Sequence, residues 1–128
     1  CASRAGRRNL IRRLRRGQAA EMRAQRWLEQ QGLTLIERNL RCRLGELDLI
    51  MEQAQQVVIV EVRQRSSGDF GGAAGSVTRH KQRRIVAATR WWLSLHPERM
   101  QQAIRFDVLA LQGPDQDIQW IQGAFDAE

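Results

Sequence analysis

Two short stretches decide the fold: Gly45-Glu46-Leu47-Asp48-Leu49-Ile50 and Val57-Val58-Ile59-Val60-Glu61-Val62-Arg63. Both are apolar runs of aliphatic, largely β-branched residues, a pattern typical of adjacent strands. Each run also contains carboxylates, notably Asp48 in the first and Glu61 in the second. A charged group in a half-buried strand costs free energy unless a partner compensates it. The two carboxylates therefore predict a partner, and a divalent cation is a natural one.

The connection between the runs, residues 52–56, is mostly polar and short enough for a hairpin. If the turn is centred on Ala54-Gln55, Asp48 lies opposite Glu61 in an antiparallel ladder. Opposed side chains on one face have Cβ atoms roughly 4.5–5.5 Å apart. Two like charges that close repel each other unless a cation lies between them. A register shift of one residue would place the two carboxylates on opposite faces of the sheet.

Strand alternation extends this pair into a patch. Side chains two residues apart share a face, so Glu46 is predicted beside Asp48 and Arg63 beside Glu61. The sequence therefore predicts one cluster of three carboxylates and an arginine.

The chain has 128 residues, a length that predicts one domain able to bury a hydrophobic core. Its 42% hydrophobic and 27% charged residues are ordinary for a globular protein. No run approaches the roughly 18 apolar residues of a membrane span, and no secretory signal is visible near the start. Cys1 and Cys42 form neither a disulfide framework nor a metal-ligand spacing. These features predict a cytoplasmic protein with reduced thiols and no membrane partner.

The net charge of +7 is concentrated at the N-terminus. Residues 1–16 contain seven arginines and no acid, which leaves 14 of the 21 Lys/Arg to balance the 14 Asp/Glu. The pattern predicts a basic, flexible arm (1–16) on a single domain (17–128). Such an arm attracts phosphate backbones without reading sequence, although a solvated tail or a transit peptide has a similar composition. Its candidate nucleic-acid contacts are Arg12, Arg13, Arg15 and Arg16.

Apolar periodicity predicts a helix over residues 17–31, a strand over 33–40, and the carboxylate hairpin over roughly 45–53 and 56–64. These strands follow one another as an antiparallel meander. Glu21 lies at the edge of the apolar stripe of the helix, and we expect it to point into solvent. The tryptophans on predicted helices have core-like spacing, which favours core packing; they are Trp27, Trp91 and Trp92.

A glycine-rich loop is predicted over residues 66–77, before a second helix over 78–96 that Thr78 would cap. The first turns of that helix are basic, which indicates either a solvated face or a second phosphate contact. Strands over 104–112 and 118–121 complete the domain. Arg105 and Asp107 share a face of the first of these strands, where a structural salt bridge is the default and support of the site is the alternative.

The chain resembles the YraN family of small bacterial proteins in an ordered set of motifs. The similarity covers about residues 17–125, and the combination is specific although each motif alone is weak. That family is largely uncharacterised. It is placed in the PD-(D/E)xK nuclease-like superfamily and is most similar to archaeal Holliday-junction resolvases. The motifs are Glu21, Gly45-Glu46-Leu47-Asp48-Leu49-Ile50, Val60-Glu61-Val62-Arg63-Gln64-Arg65, Lys81 and Arg105-Phe106-Asp107-Val108.

The resemblance implies an α/β fold of the restriction-endonuclease type, with a central mixed sheet flanked by helices. It implies a metal site of Asp48 and Glu61, with Glu21 as a further acidic member and Glu46 nearby, that takes Mg²⁺ or Mn²⁺. The expected reaction is endonucleolytic hydrolysis of DNA phosphodiester bonds at branched or single-stranded structures. The resolvase-like relatives also imply a homodimer. The further nucleic-acid contacts expected are Arg65, Arg79 and Lys81.

One departure from the superfamily pattern bears on activity. The pattern ends in Glu-x-Lys, whereas this chain has Glu61-Val62-Arg63. Arg63 can stabilise charge on a phosphate, but it cannot lose a proton at any useful pH. Lys81 could supply the missing ammonium from the second helix. The alternative is a nucleic-acid-binding module that keeps the nuclease-like fold without the chemistry.

Overall fold

The computed structural model describes residues 4–65, 77–113, 115 and 117–127, with the backbone alone for residues 4–16. Within those residues the chain forms two α-helices, five strands and one turn of 3₁₀ helix at Pro97–Arg99. The helices are α1 (Arg4–Gln30) and α2 (Arg79–Ser94). The strands are β1 (Thr34–Cys42), β2 (Gly45–Gln53), β3 (Gln56–Arg65), β4 (Ile104–Gln112) and β5 (Asp117–Phe125).

The five strands form one mixed sheet in the order β1-β2-β3-β4-β5. β3 and β4 are parallel, and every other neighbouring pair is antiparallel. A parallel pair needs a crossover connection, and α2 lies in that connection. The predicted α/β fold, with a meander in a mixed sheet and flanking helices, is confirmed. The open sheet is consistent with a nuclease-like fold.

Both faces of the sheet are buried. On one face α1 packs Ala24 and Leu28 against Val60 and its neighbours. On the other face α2 packs Trp92 against Ile59 and its neighbours. Burial on both faces explains why the central strands are almost continuously apolar rather than alternating. Burying each large aliphatic side chain stabilises the fold by about 1.5–3 kcal/mol before entropy costs.

The hairpin between β2 and β3 has the predicted turn. Ala54 and Gln55 have φ values of +50° and +65°, the left-handed pair typical of a type I′ turn. The ladder pairs Gln53 with Gln56 and continues to Leu49 opposite Val60. Left-handed backbone costs a non-glycine residue roughly 1–2 kcal/mol. The register holds nevertheless, because a slip of one residue would move every side chain to the opposite face and away from its packing partners.

The N-terminus of α2 is fixed by side-chain hydrogen bonds. The hydroxyl of Thr78 accepts from the backbone N–H of Lys81 at 3.1 Å, so the predicted cap is confirmed. The side chain of Gln82 donates to the carbonyl of Val77 at 3.0 Å. Satisfying these otherwise unpaired groups stabilises the first turn. The start of α2, including Lys81, is thus held in place by its local sequence.

Some predicted details are wrong. The first helix begins at Arg4 rather than Gly17, since residues 7–16 are dominated by arginine and leucine, which are good helix formers. Trp91 is exposed rather than packed in the core. The last strand is longer than residues 118–121. The division into a flexible arm (1–16) and a domain (17–128) stays a prediction, and the glycine-rich loop lies, except for Val77, outside the described residues.

No helix in the described part of the chain combines the length and the apolar composition that crossing a membrane requires.

Candidate active site

The regular alternation of β2 breaks at Asp48. Leu47 packs in the apolar cluster on the α2 side of the sheet, whereas Leu49 packs in the cluster on the α1 side. Two residues separated by one position should share a face. The ladder with β3 also has its last pair at Leu49 and Val60. Asp48 therefore lies where β2 and β3 part, at the end of their ladder.

Beyond the end of this ladder, the carboxylate of Asp48 accepts a hydrogen bond of the kind that a backbone carbonyl accepts within the ladder. Its Oδ2 accepts a hydrogen bond from the backbone N–H of Val62 at 2.9 Å. This contact bridges the two strands one step beyond their last pair. It also brings Asp48 beside Glu61, as the hairpin register predicted.

Glu61 is buried, with its side chain only 5% exposed. Burial raises the pKa of Glu61, and the negative charge of Asp48 raises it further. The ammonium of Lys81 acts in the opposite direction, through a hydrogen bond and its charge. A side-chain hydrogen bond with Asp48 also raises the pKa. The two carboxylates are thus close enough to repel each other, which favours a bound cation between them.

Lys81 reaches this pair from α2. Its Nζ lies 2.6 Å from Oε1 of Glu61, and its side chain is 43% exposed. Nη1 of Arg63 lies 3.8 Å from the same Oε1, and the Arg63 side chain is 31% exposed. The site therefore combines two neighbouring carboxylates with an ammonium and a guanidinium. Both cations are partly exposed, whereas the side chain of Glu61 is largely covered.

Glu21 reaches the same region from α1. The prediction that it points into solvent is wrong: Glu21 is half-buried, and its Oε2 is buried without a hydrogen-bond partner within the described residues. Burial raises the pKa of Glu21 from 4.5 to about 7, and the charge of Asp48 contributes in the same direction. A hydrogen bond from Asn39 and the charges of nearby arginines lower the pKa. Glu21 therefore lies within electrostatic reach of Asp48, and its membership of a metal site stays a prediction.

Glu46, in contrast, is exposed. Because alternation breaks at Asp48, a shared face for Glu46 and Asp48 no longer follows from strand geometry. Over residues 17–65, 77–113 and the described part of the C-terminal strand, no three His, Cys, Asp or Glu side chains come close enough together to hold a metal ion. The structure therefore brings Asp48, Glu61 and Arg63 together but leaves Glu46 outside that group.

The donor set still suits Mg²⁺. This ion keeps several waters and is usually bound through one or two carboxylates together with substrate phosphates. Asp48 and Glu61 supply two such carboxylates, and burial together with the charge of Asp48 raises the pKa of Glu61 despite the opposing effect of Lys81. The residues present therefore fit a magnesium-type site rather than a closed cage of protein ligands.

The helix that carries Lys81 also carries exposed arginines. The helix contains no acidic residue, and the arginines named below make no ion pair with the residues that the structure describes. A surface cavity of about 530 Å³ runs along one flank of the helix and is lined by three of them. Uncompensated arginines of this kind are typical of phosphate-binding surfaces. They are Arg79, Arg83 and Arg90 in the cavity, and Arg84.

The other arginines that were predicted to contact nucleic acid lie outside α2. Arg65 ends β3 and is half-buried, and its carbonyl accepts from the N–H of Gly113 at 2.9 Å. The arm arginines lie in the N-terminal part of α1, where their side chains are outside the described residues; they are Arg12, Arg13, Arg15 and Arg16.

Arg105 and Asp107 form the structural salt bridge that was the default expectation. Asp107 is fully buried and accepts two hydrogen bonds from Arg105, at 2.8 and 2.9 Å. Trp120 Nε1 and the N–H of Gly123 complete its partners, at 2.9 and 3.0 Å. All four donors come from β4 and β5, so Asp107 ties these two strands together.

The contact between Lys81 and Glu61 could not be derived from the sequence. Lys81 is the single lysine of the chain. This made it a candidate for the missing ammonium but did not indicate which residue it contacts. Its position depends on how α2 crosses the sheet between two parallel strands. The sequence placed it on a basic helix end, whereas the structure places it against the buried carboxylate.

Comparison with known proteins supports a family assignment. A family model described as "Uncharacterised protein family UPF0102" matches residues 20–111, a span that contains both carboxylates and Lys81. The chain is 51% identical over 111 residues to a UPF0102 protein of Aeromonas hydrophila, covering 86% of this chain and 84% of that protein. It is 46% identical over 115 residues to a UPF0102 protein of Alcanivorax borkumensis, covering 88% and 92%. A UPF0102 protein of Nitrosomonas europaea is 47% identical over 112 residues, covering 87% and 93%.

Proposed function

The chain belongs to the UPF0102 (YraN) family, a PD-(D/E)xK nuclease-like group, and we propose that it is a metal-dependent endonuclease that hydrolyses DNA phosphodiester bonds. The resemblance identified from the sequence is thereby confirmed. One observation carries the proposal: the ammonium of Lys81 lies 2.6 Å from buried Glu61, beside Asp48. The superfamily pattern combines carboxylates with an ammonium, and in this chain the Glu-x-Lys position itself lacks the ammonium.

In this proposal Asp48 and Glu61 hold Mg²⁺ or Mn²⁺. When bound, the ion supplies charge stabilisation on the phosphate and makes an attacking water more acidic. Asp48 is oriented for this role because Val62 N–H holds its Oδ2. Glu61 is oriented by Lys81 and by its burial in the sheet. Both side chains are thus held in position before a substrate arrives. Preorganised groups of this kind supply much of the rate enhancement at catalytic sites.

In this proposal Lys81 supplies the ammonium that position 63, an arginine, lacks. An ammonium is a compact point charge with three donors, and its pKa responds to its surroundings, whereas a guanidinium stays protonated. From its position beside Glu61, Lys81 donates a hydrogen bond to the attacking water or to a phosphate oxygen. Arg63, partly exposed at 3.8 Å from Glu61, stabilises the negative charge that develops on the phosphate.

Glu21 lies beside this pair, on α1. Among the described residues its buried Oε2 has no hydrogen-bond partner, and its carboxyl is within electrostatic reach of Asp48. We assign it a supporting role rather than a place among the ligands, since the described part of the chain does not bring three metal-ligating side chains together.

The exposed arginines of α2 support DNA as the substrate. They extend from the N-terminus of the helix, next to Lys81, along its outer flank. Phosphate contacts of this kind give affinity that falls steeply with salt and that is largely independent of sequence. The basic segment 1–16 would add to the same effect.

The experiment that tests the proposal is cleavage of labelled single-stranded, duplex, flap and four-way-junction DNA in Mg²⁺, in Mn²⁺ and in EDTA. We expect metal-dependent cutting that Asp48→Ala and Glu61→Ala abolish. Lys81→Ala should lower the rate by about 10²–10³-fold, in line with the loss of a positioned donor. Arg84→Ala is the matched control, because it removes an exposed positive charge from the same helix without touching Glu61.

Two results would overturn the proposal. Cleavage that persists in both carboxylate variants would show that the activity comes from elsewhere. Equal losses in Lys81→Ala and Arg84→Ala would show that Lys81 contributes charge for binding and nothing more. Titration of Mn²⁺ into the wild type and into Asp48→Ala by calorimetry checks the metal site separately from activity.

A binding module without catalysis is the second candidate function. The observation that favours it is Arg63 at the position where the superfamily pattern has lysine. Under this candidate, DNA binds with strong salt dependence, no substrate in the panel is cut in either metal, and Lys81→Ala and Arg84→Ala weaken binding alike. Metal-dependent cutting that Asp48→Ala abolishes would exclude it.

A further inference from the structure

Trp91 lies at the surface, next to another exposed apolar residue. Trp91 is 37% exposed and Leu44 is 42% exposed. They line a surface cavity of about 370 Å³ together with Arg41, Cys42 and Arg43. The cavity thus combines an aromatic ring and an aliphatic side chain with two exposed arginines. Exposed large apolar groups grouped in this way mark binding surfaces more often than isolated ones do.

The sequence and the packing together force this exposure. Trp91 and Trp92 are adjacent on α2, and consecutive helix residues point about 100° apart. Trp92 is buried in the core at 1% exposure, so Trp91 must point away from it. The turn between β1 and β2 is held against α2 at Gly45, where an added Cβ would lie 2.6 Å from the carbonyl oxygen of Arg84. That close approach sets Leu44 beside the helix.

The cavity and the carboxylate site are neighbours along β1. Arg41 lines the cavity and lies two residues, about 7 Å of strand, from Asn39. Asn39 makes a side-chain hydrogen bond to Glu21, so Arg41 lies close to both places. A polynucleotide backbone that contacts Arg41 would lie between the acidic site and the ring of Trp91.

We propose that the Trp91 cavity binds an unstacked nucleobase of single-stranded DNA, through stacking on the Trp91 ring and phosphate contacts with Arg41 and Arg43. This inference rests on the proposed function, since it assigns a substrate feature to the same surface. Every base has a π-face, so stacking on an aromatic side chain tolerates any sequence. A base in duplex DNA is already stacked and is not available, so the cavity selects single-stranded or branched substrates.

The test separates the contribution of the bases to binding from that of the phosphates, under conditions that prevent metal-dependent cleavage. Fluorescence anisotropy in EDTA measures the Kd of the full chain for a labelled thymidine oligomer of about 12 nucleotides. The second probe is a strand of equal length made of abasic units, which keeps the phosphates and lacks the bases. We expect the wild type to bind the thymidine oligomer roughly 5- to 100-fold more tightly than the abasic strand.

Trp91→Ala should remove this preference and leave the affinity for the abasic strand and for a duplex unchanged. Trp91→Phe, which keeps an aromatic face, should retain most of it. Leu95→Ala is the matched control, because Leu95 is exposed at the C-cap of the same helix but does not line the cavity. Since Trp91 contributes little to the core, thermal melting of the variants should match the wild type.

Several outcomes would overturn the inference. Equal wild-type affinity for the thymidine and abasic strands would show that no base is bound, while the nuclease proposal would stand. Loss of affinity for both strands in Trp91→Ala would assign Trp91 to phosphate binding or to folding. Failure of the wild type to bind any strand would overturn the proposed function as well. Self-association that Trp91→Ala abolishes, with unchanged binding of the thymidine oligomer, would show that a second copy of the chain covers the cavity.

Discussion

Glu21→Gln should make the protein more stable above pH 7. The folded chain holds the carboxyl of Glu21 half-buried, and its pKa rises from 4.5 to about 7. Because the folded state retains this proton between those values and the unfolded state does not, the contribution of Glu21 to stability falls as the pH rises from about 4.5 to about 7. It then stays low at higher pH. A glutamine has no proton to lose, so the variant avoids this decrease.

The magnitude follows from the size of the pKa change. At about 1.36 kcal/mol for each pKa unit, a rise from 4.5 to about 7 gives an upper limit of about 3.4 kcal/mol. Glu21 is only half-buried, so solvent screening reduces the effect to about 1–2 kcal/mol. The difference between variant and wild type should be near zero at pH 4.5 and should reach that value at pH 8.

Urea denaturation in EDTA at several pH values between 4.5 and 8 measures this difference in the free energy of unfolding. Glu29→Gln is the control, because Glu29 is exposed on the same helix and its replacement should give no pH-dependent change. A difference for Glu21→Gln that does not vary with pH would refute the reasoning. A variant less stable than the wild type at pH 8 would show that the Asn39 hydrogen bond outweighs the cost of burying the charge.

Three further predictions concern the framework and the basic segment. Asp107→Ala should lower the free energy of unfolding by about 3–5 kcal/mol in urea melts, because it leaves the largely buried charge of Arg105 without its carboxylate partner. A loss below about 1 kcal/mol would contradict the role of Asp107 in tying β4 to β5. Gly45→Ala should destabilise the fold, with a lower melting temperature, because its Cβ would lie 2.6 Å from the backbone oxygen of Arg84; a wild-type melt would contradict this close packing. Deletion of residues 1–16 should weaken DNA binding and reduce its salt dependence, and an unchanged slope of affinity against salt would exclude the segment from the interface.

Local and pairwise features of the fold could be predicted from the sequence. The turn at Ala54-Gln55 and the register that sets Asp48 near Glu61 follow from short-range patterning and from the two-residue connection. The cap at Thr78 follows from residue type and position. Each of these depends on groups within a few residues or on one strand pairing, and sequence periodicity carries that information directly.

The features that could not be predicted depend on packing between layers. The break in alternation at Asp48 lies opposite Asn39, whose φ of +56° marks a local irregularity of the β1–β2 ladder that no periodicity indicates. The contact of Lys81 with Glu61 depends on the path of α2 across the sheet. Glu21 was expected in solvent because its helix position is marginal, and only the placement of α1 over the end of β2 decides otherwise.

The hairpin turn has a consequence for reading other members of this family. Ala54 is six residues from Asp48, about 20 Å along an extended strand, yet the length of the turn sets which residue faces Glu61. If the ladder accommodated one inserted residue as a one-residue change of register, Asp48 would no longer lie across from Glu61, although both carboxylate motifs would stay intact in an alignment. Conserved acids in a relative therefore indicate this pair only where the hairpin also keeps its register.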